Sequence, residues 1–155
     1  MSLIIPLSLS ARLSRYTGGA ARHMKDGWRG WVPVLNVKDA RASADFYCRV
    51  LGFQQDWEHQ FEEGFPLYLS LSRDNLTLHL NEHGNDDAHM TLIISVDDVD
   101  AAYADIRKQG FEPPTPPQDQ PYGVRDFSLS DPDGHQLVIA APLSDFETGF
   151  SVPPC

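Results

Sequence analysis

The chain has 155 residues, 41% of them hydrophobic and 22% charged, with a formal charge of −10. That length suits one compact domain or two small halves sharing a core, the composition excludes general disorder, and no apolar run approaches the roughly 20 residues that cross a bilayer. Residues 1–26 hold four of the 12 basic residues and one of the 22 acidic ones, so the rest sets 8 basic against 21 acidic residues: a body that repels phosphate backbones, with no nucleic-acid or membrane partner expected, and attracts cations.

In chain order, residues 1–28 read as an untethered tail. MSLIIPLSLS is mildly apolar but lacks a preceding positive charge and a clean cleavage site, and Gly18-Gly19-Ala20-Ala21 breaks any periodicity. A single ordered domain is expected over 29–142, with 143–155 as a C-terminal tail. WVPVLNV (Trp31–Val37) reads as a buried strand, and Pro33, lacking an N–H, assigns it to a sheet edge or to a crossing between chains. Asp39 caps a helix running to about Leu51, with Phe46, Tyr47, Val50 and Leu51 on one face and Gly52 as its left-handed stop. Strands follow at Phe53–His59, Pro66–Arg73 and Leu76–Glu82, with Asp74-Asn75 as a tight turn. Cys48, inside the helical pattern, and Cys155 do not make a disulfide framework, which points to a reducing cytoplasm.

The pattern then repeats. Leu92–Val96 is a strand, Asp97-Asp98 a cap, and Val99, Ala102, Tyr103 and Ile106 a helix face. Val37-Lys38-Asp39 matches Val96-Asp97-Asp98, and Gly52-Phe53 matches Gly110-Phe111. A duplicated β-α-β-β-β unit, spanning about 31–85 and 88–141, explains the echo. The second copy continues with a short strand near Phe111, then Val124–Ser130 and His135–Ala141. Asp131-Pro132-Asp133-Gly134 makes the corner between the last two and has no chemical role in this reading.

FYCRVLGF after the first strand and DPDG before the last resemble the vicinal-oxygen-chelate superfamily, which includes glyoxalase I, extradiol dioxygenases and bleomycin-resistance proteins. VPVL (Val32–Leu35), LGFQQDW (Leu51–Trp57), RDNLTLHL (Arg73–Leu80) and QPYG…RDF…DPDG (Gln120–Gly134) are most similar to the bleomycin-resistance proteins. Val124 departs from that pattern as an extra residue between YG and RDF. The resemblance implies an α+β fold of two β-α-β-β-β units forming a cupped mixed sheet. It also implies a homodimer that exchanges its first strand and binds an antibiotic-like planar cation without altering it.

Enzymes of this superfamily hold a divalent metal at four positions, which the resemblance places at Val32, His79, Thr91 and Val138. Valine donates nothing and threonine is a poor ligand for a transition metal, so no metal and no cofactor is expected. A metal-dependent lyase, isomerase or oxygenase recruiting unexpected ligands stands as the alternative, with a metabolite-sensing module as a third. The resemblance assigns ligand binding to Trp57 and Tyr122 as an aromatic clamp, to Phe61 as its third member, and to His79 and Asn81 on one strand face. Glu58, Glu62 and Glu63 are expected around those rings, so that an arriving cation meets both carboxylates and ring faces.

Overall fold

The computed structural model describes residues 30–84 and 87–143. The expected N-terminal tail (1–28) and all of the C-terminal one except Leu143 lie outside the described residues. The elements are β1 (Val34–Asn36), α1 (Ala40–Leu51), β2 (Gln54–Gln60), β3 (Leu67–Arg73), β4 (Leu76–Asn81), β5 (Thr91–Ser95), α2 (Val99–Lys108), β6 (Gln118–Gln120), β7 (Val124–Ser130) and β8 (Gln136–Pro142). The strands form two four-stranded sheets, ordered β1-β4-β3-β2 and β5-β8-β7-β6. In each sheet the first strand runs parallel to the last and the other pairs are antiparallel. This is the α+β architecture of paired β-α-β-β-β units that the sequence implies.

Local chemistry places the helices. The Asp39 carboxylate accepts from the N–H of Ala42, and Gly52 closes α1 at φ 67°. Asp98 does the same for α2 through Ala101. Each cap stabilises its helix by about 1 kcal/mol. The helix α1 covers β3 and β4, and α2 covers β7 and β8. Alternation then sorts the strands: Leu67, Leu69 and Leu71 of β3 and Leu78 and Leu80 of β4 are buried on the helix side. Phe127, Leu129, Leu137 and Ile139 repeat the arrangement in the second unit, and one continuous core joins both.

Two local expectations are revised. The first strand is shorter than Trp31–Val37, because Pro33 donates nothing; only its carbonyl enters the ladder, accepting from the His79 N–H at 2.9 Å. β1 does lie at a sheet edge. No strand forms near Phe111, whose ring meets Phe46 edge-on at 5.5 Å. The corresponding strand, β6, is delayed to Gln118, since Pro113, Pro114, Pro116 and Pro117 offer no N–H for a ladder. Val124, read as an extra residue, is regularly paired with Gln120 and Pro142.

The Asp131–Gly134 corner does more than turn the chain. Its backbone is the expected hairpin, with the Gly134 N–H donating to the Asp131 carbonyl and Gly134 at φ 89°. Its carboxylates, however, reach across to the first unit. Asp131 accepts from the buried Tyr47 hydroxyl at 2.8 Å and from the N–H groups of Asp133 and His135. Asp133 accepts from the Lys38 N–H at 2.9 Å and from the Ser43 hydroxyl. Beside them, fully buried His135 accepts from the Met90 N–H through Nδ1 and reaches the Asn36 carbonyl at 2.8 Å through Nε2. The turn of the second unit is thus fastened to the start of α1 and to β1.

Candidate functional site

The open face of the first sheet, opposite α1, carries the side chains that alternate with the leucines. Tyr68, Ser70 and Ser72 come from β3, and Thr77, His79 and Asn81 from β4; Tyr68 pairs with Asn81, and Ser70 with His79. β2 would run on with the same period, but its register against β3 shifts between Gln55 and Trp57. The irregularity lets Asp56 and Trp57 both reach this face. Asp56 accepts from the hydroxyls of Ser70 (3.1 Å) and Ser72 (2.7 Å).

Three rings meet there. Trp57 stacks on Tyr68 with centroids 5.9 Å apart and planes inclined by 24°, and meets His79 edge-on at 5.2 Å. Tyr68 and His79 are themselves edge-on at 5.4 Å, and the Tyr68 hydroxyl lies 2.9 Å from His79 Nδ1. Each such pair contributes about 0.5–1.5 kcal/mol beyond the area it buries. Burial lowers the imidazole pKa of His79 from its ordinary 6.5, and the Asp56 charge opposes that shift without reversing it. His79 is therefore neutral at pH 7.

The unfolded chain takes up a proton at the ordinary histidine value while folded His79 resists it. Its contribution is consequently complete above pH 6.5 and is lost as pH falls below that value toward the lowered one. Thermal melts between pH 8 and 5 are expected to show a steeper decline in wild type than in His79→Phe. Parallel declines would show that His79 titrates as it does in the unfolded chain.

The other sites expected from sequence divide. Asn81 shares the His79 face, donating to the Asn36 side chain at 3.3 Å and accepting from the His83 N–H. Phe61 lies just past β2, 64% exposed, with its ring tilted against Phe65 at 5.9 Å. Tyr122 sits between β6 and β7 on the other sheet, 61% exposed. Its hydroxyl donates to Asp126 at 3.2 Å, and Gln120 donates to the same carboxylate at 2.9 Å. Among the described residues, no ring contact or hydrogen bond joins Tyr122 or Phe61 to the Trp57 cluster.

The acidic surround is corrected. Glu58 pairs with Leu69, a helix-side position, and forms an ion pair with Arg41 at 3.0 Å. Hydrogen bonds from Arg41 and Gln55 hold its carboxyl below the ordinary range. Glu62 and Glu63 are exposed beyond the end of β2. The carboxylate on the ring face is Asp56. Both Asp56 and Tyr68 escape a sequence reading: alternation shows that Tyr68 opposes the leucines, but only cross-strand register sets it beside His79, and only the register shift turns Asp56 inward.

The residues do not fit the superfamily's divalent metal. His79 is the sole strong donor of the four positions; Val138 faces Ile93 in the ladder, Thr91 faces Gln136, and Val32 precedes β1. Among the described residues, no three His, Cys, Asp or Glu side chains gather at a metal-binding distance.

Paired β-α-β-β-β units, each a mixed sheet under one helix, define a vicinal-oxygen-chelate protein. The chain belongs to the Glyoxalase/Bleomycin resistance protein/Dioxygenase superfamily, whose model it matches over residues 31–139. Solved structures share the fold. A bleomycin-binding protein complexed with bleomycin is 23% identical, with TM-score 0.60 over 72% of this chain and 97% of that one. The bleomycin resistance determinant encoded on the transposon Tn5 is 22% identical, with TM-score 0.61 over 73% and 97%. A glyoxalase-related enzyme from Clostridium phytofermentans is 20% identical, with TM-score 0.64 over 76% and 97%. No curated protein gives a significant match. Among the described residues, no helix is long and apolar enough to cross a membrane.

Proposed function

We propose that the protein is a non-catalytic, homodimeric binding protein that sequesters a planar cationic small molecule of the bleomycin kind. The observation that carries this reading is the cluster of Trp57, Tyr68 and His79 with Asp56 on one open sheet face. Ring faces and a carboxylate within one patch attract a flat cation by stacking, by cation–π contact and by charge. A fold neighbour complexed with bleomycin supports the choice of ligand class, and the acidic balance of the chain supports a cation. The enzyme alternative has His79 alone in its favour among the four donor positions.

In this reading the clamp is completed between chains. Tyr122 and Asp126 lie on the second sheet of the same chain, apart from the Trp57 cluster, and a second copy would bring its own Tyr122 to that cluster. Exposed apolar residues support association: Trp31 and Val32 precede β1, Val34 begins it, and Ile93 on β5 is 72% exposed. Trp31 and Ile93 line one groove with Leu76. Light scattering at micromolar concentration is expected to return the mass of two chains. A monomer would remove the shared cleft.

Calorimetry with bleomycin tests the binding itself. Tyr122→Ala is expected to weaken affinity about tenfold, the loss of one stacked ring of about 1.4 kcal/mol, with little change in melting temperature because the ring is largely exposed. Affinity should also fall as salt rises, since part of the attraction is screened. Unchanged affinity in Tyr122→Ala, together with a loss of several kcal/mol of stability, would make Tyr122 a packing residue instead.

A further inference from the structure

The Trp57 cluster contains a polar element that stacking does not use. The Tyr68 hydroxyl and His79 Nδ1 are 2.9 Å apart. A phenol is a good donor and a poor acceptor, while a neutral imidazole has one nitrogen of each kind. The favoured arrangement therefore has the hydroxyl donating to Nδ1, which leaves the imidazole proton on Nε2. His79 is half-buried and pinned edge-on by both Trp57 and Tyr68. Its Nε2–H is consequently a fixed donor at the edge of a ring-lined patch, open to solvent and without a protein hydrogen-bond partner among the described residues.

We propose that His79 Nε2–H selects ligands that carry a hydrogen-bond acceptor in the plane of an aromatic system, a heteroaromatic nitrogen or a conjugated carbonyl, and that Tyr68 is the positioning residue that sets its tautomer. This rests on the binding reading above and narrows it: planarity and charge admit the ligand, and the in-plane acceptor discriminates among planar cations. A site built to satisfy a polar group rejects an isostere that lacks it, because the site's own donor is left unpaired. Tyr68 acts on this donor through its hydrogen bond to Nδ1 and through the Trp57 ring it stacks against.

Two measurements on the full chain at pH 7.5 test this. The first needs no ligand: long-range proton–nitrogen correlation spectra of the histidine rings are expected to show His79 as the Nε2–H tautomer, shifting toward a mixture in Tyr68→Phe. A predominant Nδ1–H form in wild type overturns the proposal. The second compares two planar monocations of the same shape, N-methylphenazinium, which has a free ring nitrogen, and N-methylacridinium, which has a C–H in its place. Wild type is expected to prefer the phenazinium at least fivefold, His79→Phe to lose the preference while still binding both, and Tyr68→Phe to reduce it. Equal affinity of wild type for the two cations overturns the acceptor proposal and leaves the planar-cation reading standing. Binding of neither overturns both.

Discussion

Asp131→Ala is expected to cost about 3 kcal/mol or more and to lower the melting temperature by about 10 °C. Asp131 is 5% exposed and accepts three hydrogen bonds, from the Tyr47 hydroxyl and from the N–H groups of Asp133 and His135. Tyr47 is fully buried, and its burial and the Asp131 charge raise the phenol pKa far above the ordinary range, so it stays a proton donor at any working pH. Truncation strands that hydroxyl in the core, and each buried group left unpaired costs about 1–3 kcal/mol. The loosened turn would also release Asp133 from Lys38 and Ser43, uncoupling the second unit from α1. Asp131→Asn, which keeps an acceptor and the size, should lose less than half as much. Chemical denaturation of the three proteins measures this; a loss within about 0.5 kcal/mol for Asp131→Ala would show that the corner only turns the chain.

Trp57→Ala should produce the largest loss of bleomycin affinity of any single ring, about thirtyfold, or about 2 kcal/mol. Trp57 supplies the widest face in the patch and holds Tyr68 and His79 in place through its two ring contacts. Its removal takes away the stacking surface and loosens the two groups beside it. Unlike the Tyr122 variant, this one should also lose about 1 kcal/mol of stability, because the residue is half-buried against two rings. Calorimetry paired with a melt separates the two effects. Wild-type affinity in a folded Trp57→Ala protein would move the ligand off this sheet.

The two predictions draw on different levels of information. The fold was legible from the chain because its signals are local. Asp39 and Asp98 cap, Gly52 stops a helix at positive φ, and leucines at every second position of β3 and β4 choose the buried face. A duplicated pattern of such signals is enough to give two β-α-β-β-β units, since each residue's preference depends mainly on its neighbours in sequence. Proline is legible only in part: Pro33 assigns β1 to a sheet edge, but how far the prolines shorten β1 and postpone β6 is set by the ladders that the strands enter.

The site was legible only in part. Period-2 alternation puts His79 and Asn81 on one strand face, and Trp57 lies on the same open face of the sheet. Tyr68 and Asp56 join them without a signal in the sequence, and Glu58, two residues beyond Asp56, turns to Arg41 on the opposite side. These depend on cross-strand register and on one irregularity in β2, quantities fixed by how whole strands pair rather than by any residue's own preference. The same holds for Asp131 and Asp133. Their sequence determines a tight turn, but the helix that receives their carboxylates lies some 90 residues earlier in the chain. Only the tertiary fold, by burying Tyr47 and Ser43 against that turn, converts a hairpin corner into the fastening between the two units.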